Sequence, residues 1–132
     1  MKKFEDLAAF DAAVDLMVAV YRVTEQFPVQ ERYGLVAQMR RASVSVVSHI
    51  AEGQGRLTFG EWRQMLSQGR GSLFEVEAQL IAAHRLKYLD DATYAQLRTH
   101  VSKTGSPLIG LIRYVQRCER RSRTPPPRNP AT

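Results

Sequence analysis

Cysteine occurs once in this chain, at Cys118, so no internal disulfide can form, and the composition suits a reducing compartment. Long apolar runs are missing too: nothing approaches the roughly 20 consecutive apolar residues of a membrane helix. The opening Met1-Lys2-Lys3-Phe4-Glu5-Asp6-Leu7 runs into acids rather than an apolar stretch, so it does not read as a secretory signal. The expectation is a cytoplasmic protein with no membrane association. Strand signals and internal repeats are absent. The three histidines, His49, His84 and His100, are isolated from one another. There is no His-Glu-x-x-His, no Glu-x-x-His of the kind that builds metal sites inside bundles, and no Gly-x-Ser-x-Gly elbow. No metal, no cofactor and no enzymatic activity are therefore expected.

What is present reads as helix. At 132 residues, 44% hydrophobic and 24% charged, the chain is one domain able to bury a core without metal or disulfide. A first helix is predicted over residues 6–26, with Leu7, Phe10, Val14, Met17, Tyr21 and Thr24 as its core stripe; Pro28 ends it. A second is predicted over residues 31–52. Its core stripe is Leu35, Met39, Ala42, Val46 and Ile50, flanked by Val36, Ser43 and Val47. Gly53 is placed to stop it as a left-handed residue. Thr58 and Glu61 form a capping box that opens a third helix running to about Lys87. Its seam is Phe59, Trp62, Leu66, Gly69, Leu73, Val76, Leu80 and Ala83, alternating steps of three and four. Gly69 and Gly71 inside it each cost roughly 1 kcal/mol relative to alanine, which implies a closely passing backbone. The Gly-Arg-Gly-Ser around them lacks the phosphate-loop pattern.

Asp90 or Asp91 caps a fourth helix with core positions Tyr94, Leu97, Val101, Thr104, Leu108, Leu111, Val115 and Cys118. The phase continues across Pro107, which leaves two readings: one helix kinked there, or two helices with a break. The fold class is all-α, an antiparallel up-and-down four-helix bundle over residues 1–122. Residues 123–132, with Pro125, Pro126, Pro127 and Pro130, are expected to be a disordered basic tail.

The net charge of +6 is unevenly placed: from Arg113 onward there are six arginines against one acid, Glu119. The candidate phosphate-binding residues are Arg40 and Arg41 on the second helix, Arg56, Arg63 and Arg70 spaced by seven, and Arg117, Arg120 and Arg121 on the last helix. No aromatic platform interleaves these arginines, so base stacking is not indicated. The competing reading is a solvated charged face with Glu61, Glu75 and Glu77 as partners.

Around the central hairpin the residues become distinctive. Phe27-Pro28, Glu31-Arg32-Tyr33-Gly34-Leu35, Gln38-Met39-Arg40-Arg41-Ala42, Ser45, Ile50-Ala51-Glu52-Gly53, Arg56, Glu61-Trp62 and Gly71-Ser72-Leu73-Phe74-Glu75 resemble the 23S rRNA intervening-sequence proteins. The similarity spans residues 4–88, with the fourth helix alike in pattern only. It implies a bacterial four-helix bundle assembling as a homopentameric ring. A related group, the accessory proteins of diversity-generating retroelements, partners a reverse transcriptase and nucleic acid. The resemblance makes Glu52, Arg56 and Trp62 candidates for subunit contacts. The chain departs from the family at His49, where an asparagine is usual, and at Trp62, where a phenylalanine is. Three functions follow. One is a non-enzymatic oligomer binding RNA or DNA, as an accessory to a nucleic-acid-processing protein. The second is an assembly module that binds no nucleic acid. The third is an enzyme, which a deep polar pocket holding His49 and Glu52 would favour.

Overall fold

The structure, a computed structural model, describes residues 7–123. The disorder expected of the proline-rich tail beyond Arg123, and a first helix beginning at Asp6, fall outside the described residues.

Helix α1 spans Ala8–Thr24. Thr24 turns its hydroxyl back onto the Val20 carbonyl at 2.7 Å, and Pro28 follows in extended conformation. The core-facing stripe differs from the expected one. Ala9, Ala13, Leu16, Val20 and Thr24 are buried, whereas Phe10, Val14 and Met17 are half-buried and Tyr21 is exposed. Thr24 is buried as expected; before it the two stripes are one residue apart, a rotation of about 100°. The alanines face inward because they let α1 lie close to its neighbours, and the larger side chains splay along its flank.

After a single 3₁₀ turn at Val29–Glu31, α2 spans Leu35–Gln54, starting later than expected because Gly34 interrupts the helical backbone. Val36, Met39, Ala42, Ser43, Val46 and Ile50 are its buried face. Gly53 does not stop it. No described glycine has positive φ; Gly53 is buried within the helix, and Gly55 caps it at φ −90°. The role of Gly53 is space, since a Cβ there would lie 2.7 Å from Cδ1 of Trp62.

Helix α3 spans Phe59–Arg85 and opens on the predicted cap, with the Glu61 N–H donating to Thr58 Oγ1 at 3.1 Å. Its seam is buried from Trp62 to Ala83, with Phe59 half-buried. Gly69 allows the expected close approach, its notional Cβ lying 3.3 Å from the His49 Cβ. Gly71 does not: it is exposed, with nothing within 4 Å of where its side chain would be. The helix closes at Lys87, φ 66°, with the Tyr88 N–H donating to Ala83 O and the Lys87 N–H to His84 O. That pair of bonds is a Schellman closure.

Helix α4 spans Asp91–Arg123, and Asp90 caps it by accepting from the Thr93 N–H at 2.7 Å. It passes through Pro107 as one helix, so the two-helix alternative does not hold.

α1 packs on α2 and α4, and α3 packs on the same two, which makes a four-helix bundle whose helices each have two neighbours. Between α2 and α3 the contacts pair Ser45 with Ser72, His49 with Gly69, and Gly53 with Trp62. Between α3 and α4 they pair Arg63 with Glu119, Leu73 with Gly105, Glu77 with Arg98, and His84 with Asp91. In both seams numbers rise on one helix as they fall on the other, so the partners run in opposite directions. Leu16, Met39, Ile50, Leu66, Leu80, Leu97 and Leu108 fill the centre.

Candidate nucleic-acid interface

Opposed α3 and α4 bring the first turns of one beside the last turns of the other. There the sequence supplies Arg56 and Arg63 from one side and the arginine-rich end of α4 from the other. Glu119 organises this end. It is 8% exposed, on the core-facing side one position beyond Cys118, which is half-buried rather than buried as expected. Arg63 Nε donates to its Oε2 at 2.7 Å, and Arg123 Nη2 to its Oε1 at 2.6 Å. Gly60 leaves room for the carboxylate, which lies 3.5 Å from where a Cβ would stand. The hydrogen bond from Arg63 holds the Glu119 carboxyl below the ordinary carboxylate range and pushes the Arg63 guanidinium up in turn. From sequence, Glu119 looked like one acid subtracted from a basic arm; its partner on α3 is 56 residues away.

Beyond this pairing, Arg113, Arg117, Arg120 and Arg121 are all exposed. They fall at i, i+4, i+7 and i+8, within about a quarter of the helix circumference and opposite the buried Val115 and Glu119. Arg56, at the same end, is exposed and places Nη2 3.4 Å from the Met65 sulfur.

The other candidate arginines lie elsewhere, so the eight do not form one surface. Arg40 is a latch between α1 and α2 at the opposite end: Nε donates to Thr24 Oγ1 at 3.0 Å, Nη2 to the Tyr21 carbonyl at 3.2 Å, and its guanidinium covers the Tyr21 ring at 4.7 Å. Arg41 is exposed and donates to Gln38. Arg70 lies midway along α3, its guanidinium 5.3 Å from the centre of the Phe74 ring. An aromatic therefore does stand beside a candidate arginine, contrary to the sequence reading; the i, i+4 spacing of Arg70 and Phe74 was the available signal. The two border a groove between α3 and α4 of about 280 Å³, with the Glu77–Arg98 pair along it.

Of the implied subunit-contact residues, Glu52 and Arg56 are exposed and make no ion pair with each other. Trp62 is only 5% exposed, its indole seated on Gly53 and facing Tyr114 edge-on at 6.3 Å. It packs its own chain and presents no anchor on the surface. His49 Nδ1 lies 2.8 Å from the Ser45 carbonyl, and Ser45 Oγ lies 2.7 Å from Ser72 Oγ, a polar stitch between α2 and α3. His84 stacks on Tyr94 and reaches Asp91 at 2.8 Å. Among the described residues no group of three or more His, Cys, Asp or Glu is placed to hold a metal ion, and no helix is long and apolar enough to cross a membrane.

Residues 5–110 match the 23S rRNA-intervening sequence protein family, and the chain belongs to that family. No curated protein matches it. The matched segment covers all of α1 to α3 and ends at Gly110, before the four-arginine face of α4 begins.

Proposed function

We propose that this family member is a non-enzymatic, oligomeric helical bundle that binds RNA or DNA electrostatically, as an accessory to nucleic-acid processing in the bacterial cytoplasm. The observation that carries the reading is the outward face of Arg113, Arg117, Arg120 and Arg121, four cations on one side of α4. Burying Glu119 under Arg63 and Arg123 keeps the nearest acid off that face. Arg63 then serves chiefly to hold Glu119, and Arg40 to join α1 and α2; the phosphate contacts fall to Arg113, Arg117, Arg120 and Arg121, with Arg56 at the same end.

Assembly has its own support. Val14, Met17, Val18 and Tyr21 stand at i, i+3, i+4 and i+7 on α1, half-buried or exposed. They form a second apolar stripe beside the one that faces the core, suited to another copy of the chain. In a pentameric ring, as the family resemblance implies, each arginine face is presented five times and weak phosphate contacts multiply. If the arginine face proves inert, this stripe favours the alternative of an assembly module without nucleic acid.

Light scattering and anisotropy with a short mixed-sequence RNA test the reading. Binding should weaken with salt at about −0.7 in log K per phosphate contacted, or roughly −3 for four contacts. Replacing Arg117, Arg120 and Arg121 by glutamine should make the slope shallower by about 2. Salt-insensitive binding, or none at low salt, would overturn it.

A further inference from the structure

The groove between α3 and α4 is not explained by phosphate binding at the far end of α4. Phe74 stands at its edge, 56% exposed, with the Arg70 guanidinium lying 5.3 Å from its ring centre. Across the groove, Arg98 gives one nitrogen to Glu77 at 3.1 Å, while its Nη1 is buried without a hydrogen-bond partner. Ser102 and Ser106 line the same wall, and both residues are exposed. Gly105 on the floor keeps the space open, its notional Cβ 3.6 Å from Leu73. Beside Phe74, Gly71 leaves bare backbone with nothing within 4 Å, a mid-helix glycine that packing inside the chain does not require.

We infer that this groove takes an unpaired nucleotide of a single-stranded nucleic acid, the base stacking on Phe74 and Arg70 and the polar edge meeting Arg98 and the two serines. The inference rests on the electrostatic reading above and adds a preference for strands whose bases are free. Its chemistry is specific to flat rings. A phenyl ring and a guanidinium plane both stack on a base of any identity, and in a duplex those base faces are already covered. The volume of about 280 Å³ lies at the small end for ligand pockets and suits one ring system with its sugar. Arg98 already neutralises Glu77, so the groove repels neither a phosphate nor a carbonyl edge. The exposed Ser102 and Ser106 supply hydroxyl donors for base or sugar oxygens, and Arg98 contributes positive charge behind them.

The test uses the full chain and three labelled 12-mers at low salt: mixed-sequence single strands of RNA and of DNA, and an abasic strand with the same phosphates and no bases. The base-bearing strands should bind more tightly than the abasic one. Phe74→Leu, which keeps an apolar side chain but removes the π face, should weaken base-bearing strands roughly 5- to 150-fold and leave the abasic strand unchanged. Phe74→Trp should retain binding and have its fluorescence quenched by the stacked base. Circular dichroism of each variant confirms the bundle. Equal affinity for base-bearing and abasic strands, or wild-type affinity in Phe74→Leu, overturns the stacking inference and leaves the electrostatic reading standing. No binding of any strand overturns both.

Discussion

Two glycines in adjoining helices carry opposite meanings. Gly53 is a spacer: alanine there would set a methyl 2.7 Å from the Trp62 ring, and the indole has no room to retreat because it is buried. Gly53→Ala should destabilise the fold by about 1–3 kcal/mol, the range for overpacked cores. Gly71 is exposed on α3 with open space around it, so Gly71→Ala should stabilise by about 0.5–1 kcal/mol through helix propensity alone. Urea unfolding of the two variants checks the difference in sign. From sequence the two roles were not separable. Gly53 before a Gly-rich turn has the pattern of a helix stop, and Gly71 beside Gly69 has the pattern of a contact. Only the placement of Trp62 over one and nothing over the other decides between them.

Helices were legible where their apolar arc is narrow. On α3 most residues beside the seam are polar, charged or glycine. The larger apolar exceptions, Met65, Phe74 and Ile81, do not line up as a single second stripe, so the one from Trp62 to Ala83 admitted one orientation. On α1, Ala9, Ala13 and Leu16 lie next to Phe10, Val14 and Met17, and a wide apolar arc leaves its own centre undefined. The larger side chains suggested one stripe; close packing chose the other. Caps were legible at Thr58 and, as one of two adjacent candidates, at Asp90 because a side-chain oxygen three residues before an N–H is a local device. The end of α3 is less ordinary. Lys87 occupies the left-handed position that glycine usually fills, at a cost of roughly 1–2 kcal/mol for a residue with a Cβ. Glycine recovers part of that while losing some chain entropy, so Lys87→Gly should raise stability by about 0.5–1 kcal/mol, measured as an upward shift in the urea midpoint.

At the scale of the molecule, the candidate interface was only partly legible, because register between helices decides which charges meet. The arginines of α4 share a face by simple periodicity, but nothing local announces that Glu119 is buried against Arg63. That tie makes the bundle acid-sensitive. The folded-state pKa of Glu119 is depressed, so its contribution is fully present above the ordinary carboxylate range and is lost as pH falls through that range toward the folded value. Melting temperatures followed from neutral to acidic pH should drop in that window for the wild type. Glu119→Gln should melt lower at neutral pH and lose part of that dependence. The ring of helix contacts also bears on folding kinetics. Three of its seams join helices adjacent in the chain, whereas the fourth joins α1 to α4. Closing that last seam brings together elements separated by the whole central hairpin, so it carries the largest loop-entropy barrier. The hairpins can form early and locally, and the pairing of first helix with last is where the bundle shuts.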